Sequence, residues 1–179
     1  RQRAYYLANI TMIDEKVGEI LEALDRAGRL EDSVVIFTSD HGDQMGDHGL
    51  CEKWVMYEQS VNVPLVFWAP GRFDSGRRLD GLCQWFDIGP TVLELAGAEI
   101  PEKAEAQSLL PGLEGDEFEG REYVFSEHTD DPVLKTLDWE LMIRSRDWKM
   151  IEYIGPDEGQ LFDLQNDPEE LNDLWDDPA

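Results

Sequence analysis

The stretch 34–53, VVIFTSDHGDQMGDHGLCEK, constrains this chain more than any other. Four strand-forming apolar residues (Val34, Val35, Ile36, Phe37) run straight into Thr38-Ser39-Asp40-His41-Gly42. In open α/β sheets ligands bind where strands end at their carboxyl edge, so Asp40 and His41 stand where chemistry is usually placed. An adjacent Asp and His supply one hard carboxylate oxygen and one imidazole nitrogen, a pairing that suits a divalent metal. Lys53, at the end of a loop punctuated by Gly46 and Gly49, adds a mobile point charge for an anionic group. The segment reads as half of a metal-and-oxyanion site.

Asp-His-Gly after a strand also reads as a plain turn in which Asp40 caps the next segment. The rest of the loop favours function, because a connection this long without secondary structure of its own is usually functional. His48, between the metal pair and Lys53, is the candidate proton donor to a leaving group. The alternative for His48 is a loop histidine bonded to backbone. Asp43 and Asp47 read as solvated carboxylates rather than outer metal ligands. His128, in SEHTDD, could reach a substrate from the C-terminal region, although nothing in the sequence fixes its direction. Trp148 and Tyr153 read as core, and Asp87 as a helix cap.

The organisation is that of an α/β protein. Ile10, Ile13, Val17, Ile20, Leu21 and Leu24 recur at helical spacing and predict an amphipathic helix with one buried face, ended near Gly28. A strand at 34–37, a short helix at 54–60, a second buried strand at 63–68 and a helix at 87–96 follow. Residues 99–120, rich in Pro, Gly and acids, read as a linker or surface loop. Beyond it strands are expected at 123–125, 141–144, 148–153 and 161–164, with Arg146-Asp147 as a hairpin turn. A closing helix is expected at 168–175, with Asp167 as N-cap and Pro168 at its first position. The predicted domains are 1–98, the linker 99–120, and a C-terminal antiparallel subdomain at 121–179.

In order and spacing, FTSDHG followed by GDHGLCEKWVMYEQSVNVPLVFWAPG resembles the second half of the sulfatases in the alkaline-phosphatase superfamily. ITMIDEKVGEILEAL resembles the helix preceding the family's site, and FDIGPTVLELAG its Asp-x-x-Pro-Thr helix. LFDLQNDPEELNDL resembles its C-terminal closure, with Phe162 in a tyrosine position. The resemblance implies part of an alkaline-phosphatase-like sandwich with a small C-terminal antiparallel sheet, and an activity of metal-dependent sulfate-ester hydrolysis. It assigns Asp40 as a metal ligand, His41 as its neighbour in the site, and Lys53 as the contact to the sulfate and the leaving-group oxygen. The implied metal is Ca2+, with Mn2+, Mg2+ or Zn2+ also compatible with a nitrogen ligand.

The family's nucleophile is a formylglycine made from Cys or Ser in Cys/Ser-x-Pro-x-Arg. Cys51 is followed by Glu-Lys-Trp-Val and Cys83 by Gln-Trp-Phe-Asp, so neither matches. The family's Asp-Asp pair and its upstream His and Lys are also absent. Calcium takes about six to eight ligand atoms, which Asp40 and His41 cannot supply. The sequence therefore predicts the C-terminal part of a larger enzyme, inactive alone, whose partner is its own N-terminal half. Phosphate or phosphonate monoester hydrolysis on the same fold, and a non-catalytic binding module, are the alternatives.

Forty acidic against 15 basic residues give a formal net charge of −25. So acidic a surface excludes nucleic acid and anionic membranes as natural partners. Dispersed carboxylates with arginine outnumbering lysine fit a protein working in concentrated salt, where self-repulsion is screened. Two cysteines give no disulfide framework, and free thiols favour a reducing, cytoplasmic compartment while localisation stays open. No apolar run approaches the roughly 20 residues needed to span a bilayer. Oligomer formation is left open.

Overall fold

The computed structural model describes residues 1–129, 138–156 and 158–177. The chain opens with α1 (Gln2–Arg26), which stops where Gly28 turns left-handed at φ +64. The strand β1 (Val35–Thr38) follows and pairs antiparallel with β2 (Leu65–Trp68), Val35 opposite Trp68 and Thr38 opposite Leu65. Between them lie the site loop and the short α2 (Glu58–Val61), which starts later than the sequence suggests. After β2 come α3 (Ile88–Leu95) and α4 (Leu110–Glu114). The segment 99–120 is therefore not bare loop, since it holds α4 and buries Leu109 and Leu110.

The C-terminal part is a four-stranded antiparallel meander of β3 (Val124–Thr129), β4 (Trp139–Arg144), β5 (Trp148–Ile154) and β6 (Glu158–Asp163), in that order. Its alternation puts Met142, Ile151 and Phe162 inward, where they meet Met56 from the loop before α2. That cluster seats the sheet under the site loop. The expected α/β architecture with a small antiparallel sheet is present.

A buried ion network fastens the same junction. Lys149 Nζ, with no exposed side-chain surface, lies 2.7 Å from Glu58 Oε1 and 2.5 Å from Glu170 Oε1, and donates to the Met56 carbonyl. Arg144 Nε adds a 2.9 Å contact to Glu58 Oε1. Burial pushes the Glu58 carboxyl upward, but Lys149 and Arg144 outweigh it and hold the group below its usual range. Three elements, α2, β4 and β5, thus meet on one charge cluster.

Three expectations need correction. No helix forms over 168–175, because Glu170 takes φ +55 and turns its buried carboxylate to Lys149 and the Glu58 N–H. Asp167 serves that turn instead, accepting from the Asn172 N–H. Trp148 is 47% exposed rather than core, although Tyr153 packs on the core as expected. The apolar stripe of α1 is not buried, with Ile20 60% exposed. Its helical period is real, but among the described residues only Val17, Leu21 and Leu24 of the stripe are half-buried, and the rest is exposed. Asp87, fully buried, keeps a capping role, since it accepts from the Gln84 N–H at the helical turn 85–87 that leads into α3, and it also accepts from the Gln107 N–H and pairs with Arg121.

Candidate active site

The site is built by the way the chain leaves β1. Gly42 donates to the Ser60 carbonyl at 2.8 Å, and a Cβ on it would collide with the Gln59 carbonyl. Only glycine lets the strand exit lie this close to α2. Gln44, wholly buried, donates to Ser60 Oγ at 2.9 Å and anchors the next step. Asp43 then accepts from the Met45 and Glu52 N–H groups, so its carboxylate ties the two ends of the loop. The loop returns through Gly46, at φ +99, and delivers Lys53 to His41.

There Lys53 Nζ stands 2.6 Å from His41 Nε2, while His41 Nδ1 lies 2.8 Å from the Gly42 carbonyl. A backbone carbonyl accepts only, so the proton sits on Nδ1 and Nε2 accepts from the ammonium. Asp40 Oδ1 accepts from the His41 N–H at 3.0 Å, and Oδ2 lies 3.4 Å from His41 Nε2. That backbone bond, helped by the nearby Lys53 charge, holds the exposed Asp40 carboxyl below its usual range. The three residues singled out from the sequence thus meet at one point. His48 does not join them: at φ +53 its ring stacks on Tyr57 at 3.9 Å, nearly parallel, and it does not line the cleft. Asp47 pairs with Arg3 at 2.8 Å on the surface.

Asp40, His41, Lys53, Trp54, Cys83 and His128 share the walls of a cleft of about 790 Å³. Burial pushes the Cys83 thiol up, which leaves it a poor nucleophile, and both cysteines are free as the sequence predicts. Across the cleft floor His128 on β3 sits directly opposite Glu140 on β4 in the ladder. Its Nδ1 is 3.7 Å from Glu140 Oε2, and its ring is 5.8 Å from that of Trp54. Glu140 and Trp54 escaped the sequence reading. The signal for Glu140 lay in WELMIR, where strand alternation puts it on the same buried face as Met142.

The donor set fits a divalent cation only in part. An oxygen and an unprotonated ring nitrogen 3.4 Å apart could share an ion once the Lys53 ammonium gives up the Nε2 lone pair it holds, and the Nδ1–H bond to Gly42 is the outer contact that orients a ligating histidine. No group of three or more His, Cys, Asp or Glu gathers as a metal shell among the described residues. The other donors must come from elsewhere.

A sequence profile described as N-sulphoglucosamine sulphohydrolase, C-terminal, matches residues 46–179, and a second, described as a protein of unknown function, matches 3–73. The chain belongs to the N-sulphoglucosamine sulphohydrolase C-terminal family. Among relatives, a choline-sulfatase of Rhizobium meliloti is 38% identical across 99% of this chain and 34% of its own length. An N-acetylglucosamine-6-O-sulfatase of Bacteroides thetaiotaomicron is 30% identical across 95% of this chain and 31% of its own length. The chain spans about a third of the length of the curated relatives it matches. A solved structure of a protein bound to its substrate, D-glucosamine-2-N,6-O-disulfate, superposes with a TM-score of 0.88 at 30% identity, covering 96% of this chain and 36% of that one. A phosphonate monoester hydrolase of Agrobacterium radiobacter superposes at 0.83 with 31% identity, covering 94% and 36%. The fold is that of the C-terminal part of the alkaline-phosphatase-like sulfatases.

Proposed function

We propose that the protein carrying this chain is a metal-dependent sulfuric ester hydrolase, with Asp40, His41 and Lys53 forming part of its centre. The observation that carries this reading is the convergence of the three side chains at the exit of β1, Lys53 Nζ 2.6 Å from His41 Nε2. A divalent cation, Ca2+ foremost, held in part by Asp40 and His41, would supply Lewis acidity to the sulfuryl oxygens. Asp40 contributes a carboxylate kept ionised by the His41 N–H. His41 would present Nε2 to the cation only with the Lys53 ammonium turned from it toward the anionic group, because Gly42 occupies Nδ1 and the Nε2 lone pair takes one partner. Lys53, on a flexible stem lining the same cleft, stabilises charge developing on the bridging oxygen as the S–O ester bond breaks. His48, stacked on Tyr57, holds the loop rather than a proton in transfer.

The nucleophile, expected as formylglycine, falls to the part of the protein N-terminal to this chain, since neither Cys51 nor Cys83 stands in a Cys-x-Pro-x-Arg setting. The exposed apolar stripe of α1, with Phe37, Val66 and Trp68 of the small sheet, is the surface that part would cover. The likeness to a phosphonate monoester hydrolase favours a second reading, hydrolysis of phosphonate monoesters by the same half-site. The test is steady-state hydrolysis of 4-nitrophenyl sulfate and of 4-nitrophenyl phenylphosphonate, a phosphonate monoester, by the full-length protein. Sulfate turnover should dominate, and Lys53→Ala should lower it about a hundredfold or more, the usual size for losing one such stabiliser. Dominant phosphonate turnover would replace the first reading with the second. No turnover of either, with no calorimetric metal binding, would leave a binding module.

A further inference from the structure

The site loop ends on a strained residue. Glu52, exposed and one position before Lys53, sits left-handed at φ +71 without being glycine. Such a conformation persists only where its surroundings fix it, and it gathers at functional sites. Here both backbone and carboxylate are held. The Glu52 N–H donates to Asp43 Oδ1 at 3.3 Å, and its carbonyl accepts from the Gln44 N–H at 2.9 Å. Its carboxylate Oε2 accepts from the indole N–H of Trp54 at 2.9 Å. That bond lies at the surface, so it orients the ring rather than satisfying a buried donor. Trp54 itself is half-buried on the cleft wall, and the core begins only at Met56. Lys53 Nζ stands over the same indole, 5.8 Å from its centroid, with the ring of His128 to one side at 5.8 Å.

We propose that Trp54 is a specificity residue whose indole face carries the ring of a cyclic leaving-group alcohol, and that Glu52 is the positioning residue that aims it. This rests on the sulfate-ester reading and names the shape of the alcohol that site accepts. Adjacency in the chain puts the platform beside the ammonium assigned to the bridging oxygen. A ring offset-stacked on an indole has its centroid about 4.5–7 Å from that of the indole. Lys53 Nζ stands in the same range, so an oxygen on the rim of the stacked ring is within reach of the ammonium. An aryl ring and the C–H face of a pyranose share this flat apolar chemistry, and laying either on the indole removes apolar area from water. A short acyclic alcohol has no face to lay there. A pocket contact that one alcohol makes and another cannot is worth about tenfold to a hundredfold in kcat/KM.

The full-length protein tests this with 4-nitrophenyl sulfate and glucose 3-sulfate, whose ester oxygens sit on an aryl ring and on a pyranose, against propyl sulfate, which has no ring. Trp54→Leu keeps an apolar side chain without the face, and should lower kcat/KM for the ring esters about tenfold relative to propyl sulfate. Where propyl sulfate binds without turnover, its inhibition constant takes the place of kcat/KM in the ratio. Glu52→Ala should move the ratio the same way by about threefold to tenfold, the scale of one lost hydrogen bond. Glu52→Gln keeps an oxygen acceptor and should return the ratio to within about twofold of wild type. Beside Trp54→Phe, which has no N–H to orient, Glu52→Ala should shift the ratio no further. Damage to Lys53 or to the fold would lower all three esters together. A ratio unmoved by Trp54→Leu therefore overturns the inference, as does a Glu52→Ala shift that persists beside Trp54→Phe. A shift confined to one ring ester sustains it and names that ring as the one the platform takes. If the wild type cleaves none of the three, the sulfatase reading fails, and calorimetric titration with the two ring esters decides the inference separately. Affinity for either about tenfold weaker in Trp54→Leu sustains it; equal affinity for both, or no binding by the wild type, overturns it.

Discussion

At the scale of single residues, position in the chain decided which parts of the site were legible. Asp40 and His41 follow directly from a strand exit, and Lys53 from the end of a long loop, so linear sequence was enough to single them out. The closeness of Lys53 to His41 was not legible, because it depends on Gly42 lying against Gln59 and on Asp43 closing the loop. Nor was the pairing of His128 with Glu140, which depends on the β3–β4 register. Glu140 also predicts a pH dependence. Its carboxyl rises from an ordinary 4.5 to about 6 in the fold, so the folded state binds this proton more tightly than the unfolded one. Below pH 4.5 the group costs nothing; as the pH climbs to 6 stability falls, by about 2 kcal/mol for a shift of this size, and stays lower above it. His128 on β3 opposes this shift, while Tyr153 on β5 faces the same carboxyl and is itself raised, chiefly by burial and then by Glu140. Glu140→Gln has no such titration. The thermal midpoint of the wild-type full-length protein should drop relative to this variant between pH 4.5 and 6, then run parallel to it. Parallel curves through the whole window would mean that Glu140 does not titrate there.

Elements were legible where period and punctuation agreed with packing. Each of the four C-terminal strands was legible as a short strand-like run, and Arg146-Asp147 marked the β4–β5 turn. The closing helix failed for a tertiary reason. Asp167-Pro168 is a sound local start signal, but the buried ammonium of Lys149 requires a carboxylate, and Glu170 reaches it only by leaving helical conformation. That ion cluster carries its own prediction. Lys149→Met would leave the Glu58 and Glu170 carboxylates buried without their shared cation, a change that costs about 3–5 kcal/mol when one partner of such a pair is removed. The thermal midpoint should fall accordingly. Adding Glu170→Leu should restore part of the loss, because an apolar replacement of the pair removes the stranded charge, while Arg144 still holds Glu58. A neutral Lys149→Met, or a double variant weaker than the single, would deny the cluster its role in joining α2 to the C-terminal sheet.

For the molecule as a whole, two sequence signals point outward rather than inward. The α1 stripe has a sound helical period, yet a period says only that a face is apolar, and what covers it is decided by a contact no local pattern contains. Net charge acts at the same scale. The exposed ion pairs, such as Arg3–Asp47, Lys16–Glu19 and Arg72–Glu114, are each worth about 1 kcal/mol at most, and salt weakens them. Against them stands an excess of 25 negative charges whose mutual repulsion salt also weakens. The two effects oppose each other, and the excess wins because it is summed over many like-charge neighbours while the pairs are few and solvated. The buried Arg121–Asp87 and Lys149–Glu170 contacts are screened much less and so do not enter the balance. We therefore propose adaptation to concentrated salt. The Debye length shrinks from about 10 Å at 0.1 M to about 3 Å at 1 M, so most of the gain should come within that range. The thermal midpoint in KCl should rise by roughly 5–10 °C between 0.1 and 1 M, a shift worth one to a few kcal/mol, and should flatten beyond it. Sucrose at matched osmolality separates screening from general exclusion of solute, since it leaves charge repulsion untouched. An equal rise in sucrose would assign the effect to exclusion, and a midpoint that is flat or falls with KCl would show that the excess carboxylates are tolerated without salt.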